Sequence, residues 1–413
     1  MNKEFIKNII INNLSLGLQF GSRWLLNIVL LSTLGIIPFG TFSFIYSFAN
    51  ILVSILPFGS QFYLIKEASV NKDNSRELQS SMLLLLLLSL GVLLLIFLAD
   101  LLQVNSYGYL MYLGCTLGIV FSINNILFSY LKGIGKFGFE LKINIVFSVL
   151  IFGLIGYLIY GDGLEIDTIF YLIITFNLIT TAIILSLTKG ISLLAGITSL
   201  FTTKELNSVW KERQYFGLQD IVTASFVQGG MLLLPLFVSD EIYGIYRGLL
   251  LIVAPFALLN LAFSQVLLNQ IKNVSLREKE KLFHSLQKIA IPGLVVILLG
   301  MYWFREVILF KIAKLELTDT LNKAYIGVLA IILFSFVYSG YEMLFVALNK
   351  QKKRFIIMVI GAIVNLTAIL TLLPKYGIMG AIGTNVISTF VVFILVLFIG
   401  EKQLKKNKLC VES

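Results

Sequence analysis

The sequence predicts an all-α polytopic membrane protein of about 12 transmembrane helices, in two six-helix lobes related by a pseudo-two-fold axis along the membrane normal. Of the 413 residues, 58% are hydrophobic and 13% are charged, whereas about 25% of the residues of a soluble domain are charged. Apolar stretches long enough to cross a bilayer recur along the whole chain. The two halves of the sequence also match weakly at a nearly constant offset.

The first half of the chain holds six apolar stretches, each close to the roughly 17–25 residues that a helix needs to cross hydrocarbon. They lie at residues 10–33, 40–63, 80–99, 107–131, 143–160 and 168–187. In the first stretch, polar residues recur every three or four positions, which puts Gln19, Arg23 and Asn27 on one face of a helix. The second stretch repeats the pattern with Tyr46 and Asn50. These stripes predict helices that face a polar cavity.

The longest gap between apolar stretches, residues 188–213, predicts the boundary between an N-terminal lobe at 1–196 and a C-terminal lobe at 197–413. Charged residues there alternate with apolar ones, which is typical of an amphipathic helix on the membrane surface. Residues 276–286 show a similar pattern. Both segments are equally well interpreted as ordinary solvated connectors.

The second half of the chain holds the other six stretches, at residues 214–237, 242–268, 289–304, 324–348, 355–374 and 378–400. The seventh stretch carries Asp220 and Gln228 on one face, the eighth contains Arg247 and the tenth contains Glu342. These helices therefore also present polar groups within the membrane.

An internal repeat relates the two halves. A shift of 204 residues places Gly40 on Gly244, and a shift of 216 places Tyr160-Gly161 on Tyr376-Gly377. The repeat unit of six spans is even, so both halves cross the membrane in the same orientation, as parallel repeats do.

Basic residues alternate between the loops in the way that sets membrane topology. With the N-terminus inside, the inside segments hold 25 Lys and Arg residues and the outside loops hold 5. Positive charge gathers on the cytoplasmic side, so both termini are predicted to be cytoplasmic. The net charge of +10 is thus explained by topology and contact with membrane lipids, and nucleic-acid binding is not expected.

Motifs for catalysis, metals or cofactors are missing from the sequence. The only histidine, His284, has no partners for a metal site. Cys115 and Cys410 fall at different levels of the bilayer, so no disulfide is expected. The predicted outside loops are short and carry no recognisable group of acid and base residues. The sequence therefore predicts a protein that is not an enzyme and needs no cofactor.

Four ionisable residues lie well within predicted spans: Arg23, Asp220, Arg247 and Glu342. A charge at the bilayer centre costs about 2.5–3.5 kcal/mol on insertion scales, so such residues mark water-filled cavities, ion pairs or functional sites. The two arginines suit an oxyanion, because guanidinium binds phosphate bidentately, or an ion pair between helices. Asp220 and Glu342 are candidates for ion coupling, although Asp220 could also be hydrated near the cytoplasmic surface.

Short motifs along the whole chain resemble those of bacterial oligosaccharide flippases. They are Gly35-Ile36-Ile37-Pro38-Phe39-Gly40-Thr41-Phe42-Ser43, Phe58-Gly59-Ser60-Gln61, Lys66-Glu67-Ala68, Tyr243-Gly244-Ile245-Tyr246-Arg247 and Tyr376-Gly377-Ile378-Met379-Gly380-Ala381-Ile382-Gly383-Thr384. By these, the chain resembles the polysaccharide biosynthesis transport (Wzx-like) branch of the multidrug/oligosaccharidyl-lipid/polysaccharide flippase superfamily.

The resemblance implies a protein of the bacterial cytoplasmic membrane that works by alternating access. It would move undecaprenyl-diphosphate-linked oligosaccharide repeat units to the outer leaflet, for O-antigen, capsule or exopolysaccharide assembly. Arg23 and Arg247 would bind the diphosphate, and Gln19, Asn27, Asn50 and Tyr46 would contact the sugars.

Other polysaccharide assembly proteins and a coupling cation are further partners that the resemblance implies. An aspartate that the family has partway along the seventh helix is not matched, because Gln228 lies at about that depth. The main alternative is a cation-coupled multidrug exporter of the same superfamily. A membrane polymerase would need a large catalytic outside loop, which the sequence does not contain.

Overall fold

The computed structural model describes residues 3–67, 75–103, 106–161, 164–188, 203–256, 259–260, 263, 276–312, 315, 318–348 and 350–412. The regular secondary structure of this part of the chain is entirely helical. Nine of its helices are long and apolar enough to cross a membrane. The predicted all-α, multi-span fold is therefore confirmed.

The helices of the first half follow the predicted spans. They are α1 (Lys3–Leu34), α2 (Ile36–Ile55), α3 (Ser60–Glu67), α4 (Ser75–Leu101), α5 (Tyr109–Gly133), α6 (Phe137–Tyr160) and α7 (Ile166–Thr188). The predicted second span is divided between α2 and α3, because the chain turns between residues 56 and 59.

The second half continues with α8 (Thr203–Leu233), α9 (Asp240–Leu251), α10 (Leu276–Trp303), α11 (Asp319–Ala347) and α12 (Gln351–Glu412). A 3₁₀ turn, Leu234–Leu236, links α8 to α9, and a π-helical turn, Ile308–Ile312, lies between α10 and α11. The second half of the predicted eighth span falls largely outside the described residues.

Two of these helices differ from the prediction at their N-terminal ends. Residues 203–213 and 276–286 are not separate surface helices but the first turns of α8 and α10. Neither segment contains a glycine or proline that would end a helix before the apolar stretch begins. Residues 189–202, which contain the predicted lobe boundary, lie outside the described residues.

The 62-residue segment α12 contains two spans. At about 1.5 Å per residue it is far longer than the roughly 30 Å of a bilayer core. Gly377 interrupts it with φ of 52° and ψ of −124°, three residues after Pro374. This break coincides with the loop predicted between the eleventh and twelfth spans.

The chain packs as two compact units that do not coincide with its two halves. Unit 1 contains residues 1–29 and 41–228, and unit 2 contains residues 30–40 and 229–413. Helices α1, α2 and α8 therefore each begin in one unit and end in the other. The sequence boundary between residues 196 and 197 stays a prediction, because it falls outside the described residues.

In the described part of each unit, an ion pair with a buried carboxylate lies across the turn between two long helices. In unit 1, Lys132 at the end of α5 lies 3.1 Å from the carboxylate of Glu140 on α6. In unit 2, Arg354 on α12 lies 3.0 Å from the carboxylate of Glu342 on α11. Both carboxylates are buried. In each pair the positive charge on the adjacent helix offsets the cost of removing the carboxylate from water.

The repeat predicted from the shift of 204 residues appears as a reciprocal contact within unit 2. A Cβ atom built on Gly40 would overlap with the carbonyl oxygen of Asp240, and one built on Gly244 would overlap with that of Ile36. The same shift that places Gly40 on Gly244 also places Ile36 on Asp240. A contact in which residue i meets j and j meets i is what a two-fold axis produces.

We expect Gly244→Ala to destabilise the protein by about 1–3 kcal/mol, the usual cost of overpacking. The added methyl group would meet a backbone carbonyl, which cannot move aside as a side chain can. The measurement is thermal unfolding of the purified protein in detergent. Gly91→Ala on α4 is the control, because its Cβ would meet nothing within 4 Å. Equal unfolding temperatures for the two variants would contradict the close approach.

Candidate functional site

A polar pocket lies in the interior of unit 1 beside the predicted polar face of α1. Its free volume is about 20 Å³, room for about one water molecule, and its walls come from α1, α2, α5, α6 and α7. The lining residues are Gln19, Arg23, Val53, Phe121, Asn124, Asn125, Phe128, Asn144, Phe147, Asn177 and Thr180. Arg23 is the charged residue among them.

Two phenyl rings hold the guanidinium of Arg23. Its central carbon lies 4.3 Å from the centroid of Phe121 on α5 and 5.2 Å from that of Phe147 on α6. Contact between a cation and an aromatic face is favourable, and more so away from water. It leaves the in-plane N–H groups free to donate. The Nε atom is buried and has no hydrogen-bond partner in the described part of the chain.

Most of the carboxamides around the pocket hold helices of unit 1 together. Asn124 donates from Nδ2 to the side-chain oxygen of Asn177 at 3.3 Å and accepts from Thr181 at 2.7 Å, which joins α5 to α7. Asn144 on α6 donates to the hydroxyl of Ser15 on α1 at 2.7 Å. These bonds satisfy polar groups that would otherwise be costly to bury.

The structure brings only some of the predicted site residues of α1 and α2 together. Gln19 lines the pocket with Arg23. Tyr46 is buried and its ring lies edge-on to Phe121 at 6.2 Å. Asn27 instead donates to the carbonyl of Arg23 one turn earlier in its own helix, at 2.8 Å. Neither Asn27 nor Asn50 is among the residues that line this pocket. The ligand-binding role of each of these residues stays a prediction.

The second predicted arginine, Arg247, lies on α9 in unit 2. Its Nη1 atom is 2.6 Å from the sulfur of Met231. A thioether is a weak acceptor and carries no charge, and Arg247 forms no ion pair with any residue that the structure describes. Next to it in sequence, the Tyr246 hydroxyl accepts from Asn385 at 2.7 Å. The Arg247 charge therefore has no acidic partner in the described part of unit 2.

The predicted ion-coupling residues both have partners. The carboxylate of Asp220 accepts a hydrogen bond from the backbone N–H of Gly59, within unit 1. Glu342 forms the ion pair with Arg354 described above. Each contact gives a carboxylate, half-buried in Asp220 and buried in Glu342, a partner without a transported ion. Ion coupling by either residue stays a prediction.

Asp220 belongs to a larger docking face on α8, formed by Trp210, Arg213, Gly217 and Asp220. Their spacing of three, four and three residues places them on one side of the helix. The docking face meets the turn between α2 and α3, where Phe58 and Gly59 have φ angles of 41° and 74°. Positive φ is uncommon for a bulky residue such as phenylalanine and indicates strain held by the surroundings.

Phe58 is held at this turn by packing from α8. Its ring stacks on Trp210 with centroids 4.4 Å apart. A Cβ atom on Gly217 would lie 2.6 Å from the same ring. Only glycine therefore allows α8 to approach the turn so closely.

Arg213 is the centre of the docking face and is 1% exposed. Its guanidinium donates to the hydroxyls of Ser60 at 3.0 Å and Ser80 at 2.7 Å, and lies 4.5 Å from the ring centroid of Tyr63. The sequence interpretation placed it in a solvated or membrane-surface segment. The structure corrects this, because α8 continues unbroken into the interior of unit 1.

The pocket asparagines and Arg213 are the residues that sequence reasoning missed. Asn124, Asn125, Asn144 and Asn177 each lie in an apolar stretch. The rule that a polar side chain in hydrocarbon is costly could have singled them out. Among the described residues, no group of three or more His, Cys, Asp or Glu side chains could hold a metal ion.

Solved structures share this fold, although no protein-family model and no curated protein matches the sequence. The lipid II flippase MurJ, in an inward closed conformation, superposes with a TM-score of 0.73 at 16% identity, over 94% of this chain and 87% of that one. An outward-facing multidrug resistance MATE family transporter of the MOP superfamily gives a TM-score of 0.67 at 16% identity, over 98% and 96%.

A third similar structure is a MOP superfamily transporter from Pyrococcus furiosus Vc1 (DSM3638). It superposes with a TM-score of 0.67 at 15% identity, over 98% of this chain and 96% of that one. The polarity of the binding pocket of that protein is reversed, which suggests a different function for it. At such identities the likeness establishes the fold. The chain is a multi-pass membrane protein with the fold of MOP superfamily transporters.

Proposed function

We propose that the protein is a flippase that moves lipid-diphosphate-linked oligosaccharide repeat units from the cytoplasmic to the outer leaflet of a bacterial cytoplasmic membrane. Arg23 and Arg247 bind the diphosphate, and polar side chains of the helices hydrogen-bond the sugars. The lipid tail stays in the bilayer. Binding and release of the head group drive a change of conformation, and no bond of the substrate is made or broken.

The observation that supports this proposal is the polarity of the two arginine sites. Neither guanidinium has a carboxylate partner in the described part of the chain. The pocket around Arg23 contains no acidic side chain. An uncompensated cation inside a membrane protein favours an anionic ligand, and guanidinium matches phosphate in geometry as well as charge. The similarity to the lipid II flippase MurJ supports the same class of substrate.

The second candidate is a cation-coupled multidrug exporter. It is favoured by the similarity to multidrug resistance MATE transporters, which extends over nearly the whole chain. The polarity of the unit 1 pocket argues against it, because an amphipathic cation would be repelled by Arg23. Asp220 and Glu342, the acids that such an exporter could use, are already bonded within the protein.

The proposal is tested by deleting the gene in its native host and labelling the lipid-linked glycan with a reagent that cannot cross the membrane. We expect complete repeat units to accumulate on the cytoplasmic leaflet, and complementation to restore them to the outer leaflet. Normal delivery in the deletion strain, at unchanged glycan levels, would favour the exporter. A neighbouring cluster of glycosyltransferase genes would support the flippase and its work with other assembly proteins.

A further inference from the structure

Two aromatic rings, and no carboxylate of the described residues, hold the charge of Arg23 inside unit 1. The rings of Phe121 and Phe147 are 3% and 2% exposed, whereas Arg23 is half-buried. A charge inside a protein is usually paired with an opposite charge. Here the faces of two rings offset part of the cost of burying the cation instead.

A row of hydrogen bonds between α6 and α1 fixes the position of Phe147. Three residues before it, Asn144 donates to the hydroxyl of Ser15 at 2.7 Å. One residue after it, Ser148 donates to the hydroxyl of Ser22 at 3.5 Å. These four polar side chains are all buried. The bonds lie on both sides of the ring along α6 and hold it against the helix that carries the guanidinium.

A cluster of buried rings fixes the position of Phe121 in the same way. Tyr46 on α2 lies edge-on to Phe121, with ring centroids 6.2 Å apart, and stacks on Phe42 at 5.6 Å. Phe42 in turn lies 5.0 Å from the ring of Phe170 on α7. All four rings are buried. Close packing on this scale leaves a side chain little freedom to move, so Phe121 is a rigid support for the cation.

Rings and carboxylates differ in what they leave of a guanidinium for a ligand. A carboxylate accepts hydrogen bonds from its N–H groups and neutralises its charge. An aromatic ring contacts the face of the planar group and carries no net charge. The Nε atom of Arg23 is buried and has no hydrogen-bond partner in the described part of the chain. The rings therefore hold Arg23 in place and leave both its charge and its donors to an anion.

The free space beside Arg23 is small, which makes its orientation important. The pocket has about 20 Å³ of free volume, enough for about one water molecule. A single phosphate oxygen is of similar size, so the rest of a diphosphate would stay outside. A ligand that makes so few contacts in the pocket gains most from a guanidinium that is already ordered before it binds.

We propose that Phe121 and Phe147 are positioning residues, which hold the guanidinium of Arg23 in one orientation without neutralising it. The inference rests on the proposed function, because it takes Arg23 as a group that binds the diphosphate. The two rings act through Arg23 and contact no part of the substrate. Affinity for an anionic lipid should then depend on the electron density of the ring faces, and not only on the size of the rings.

The test replaces Phe147 with phenylalanines that carry one, two or three fluorine atoms, in the purified protein in lipid nanodiscs. Fluorine withdraws electrons from the ring face and changes the shape of the ring little, so the attraction for a cation falls stepwise. Binding of undecaprenyl diphosphate and of uncharged undecaprenol is measured by native mass spectrometry. We expect the affinity for the diphosphate to fall with each fluorine, and that for undecaprenol to stay constant.

Phe147→Leu removes the ring and should weaken binding of undecaprenyl diphosphate by about tenfold, because a disordered guanidinium must be ordered on binding. The fluorinated variants should keep the unfolding temperature of the wild-type protein, which separates positioning from stability. Arg23→Gln should weaken binding of the diphosphate and remove its dependence on fluorine at Phe147.

Phe128 is the matched control for the fluorinated variants. It lines the same pocket and is buried, but no cation lies over its ring in the described part of the chain. Fluorine at Phe128 should therefore leave the affinity for undecaprenyl diphosphate unchanged.

An affinity that does not respond to fluorine at Phe147, while Arg23→Gln weakens binding, would overturn the positioning role and leave the proposed function intact. The same holds if the response to fluorine is equal at Phe128, or persists in the Arg23→Gln variant. Failure of the wild-type protein to bind undecaprenyl diphosphate more tightly than undecaprenol would instead overturn the proposed function, and this inference with it.

Discussion

Replacing both Arg23 and Arg247 with glutamine is expected to abolish export of the lipid-linked glycan while the protein still inserts into the membrane. Each hydrogen bond to a charged group contributes about 1.5–3 kcal/mol, so losing both arginines should slow transport by about 100-fold or more. Glutamine keeps much of the length and polarity of arginine, so the loss reports on the charge. The measurement is the rate at which labelled glycan reaches the outer leaflet in cells that carry the variant.

The single variants sharpen this experiment. Arg23→Lys keeps the charge but loses the planar edge that binds an oxyanion bidentately, so partial transport is expected. Arg305→Gln is the control, because Arg305 lies in a predicted outside loop and contacts the carbonyl of Tyr302. Full export by the double variant, at normal protein levels, would rule out both arginines as the diphosphate site.

Replacing Arg213 with methionine is expected to have the largest effect on stability, about 3 kcal/mol, because the hydrogen bonds that its charged group donates to Ser60, Ser80 and the carbonyl of Glu77 are lost. Methionine preserves much of the buried packing. The hydroxyls of Ser60 and Ser80 would lose the guanidinium that binds them, and the strained turn at Phe58 would lose a neighbouring support. The measurement is thermal unfolding in detergent, followed by tryptophan fluorescence.

Lys211→Met is the matched control for the Arg213 variant. It removes the same charge two residues earlier in α8, where the side chain is exposed. If both variants unfold at the same temperature, the docking face of α8 contributes nothing measurable to unit 1, and Arg213 is only a buried charge. A lower unfolding temperature for Arg213→Met alone supports the docking face.

Much of the fold can be predicted from the sequence because the bilayer imposes strong constraints. Length, hydropathy and the distribution of basic residues identify the apolar stretches, and most of the helices follow them closely. The predictions that differ concern residues 203–213 and 276–286, which were predicted as separate segments and instead continue into α8 and α10. Hydropathy reports average polarity and cannot show that one arginine of such a segment is buried against a turn about 150 residues earlier in the chain.

The candidate site is only partly predictable for a related reason. The polar face of α1 is local information, and helical spacing was enough to find Gln19 and Arg23. The pocket around them combines residues from five helices, and no spacing rule relates α1 to α5 or α7. Glu342 illustrates the same limit, since its pairing with Arg354 depends on how two helices meet across a turn.

The sharing of α8 between the two units has a consequence for how such a chain can be divided. A gene cut between residues 188 and 203 would yield a first fragment that has the Phe58 turn but lacks the docking face. The second fragment would lack residues 30–40, which pack within unit 2. Each fragment is incomplete without the other, so they should assemble only when made in the same cell.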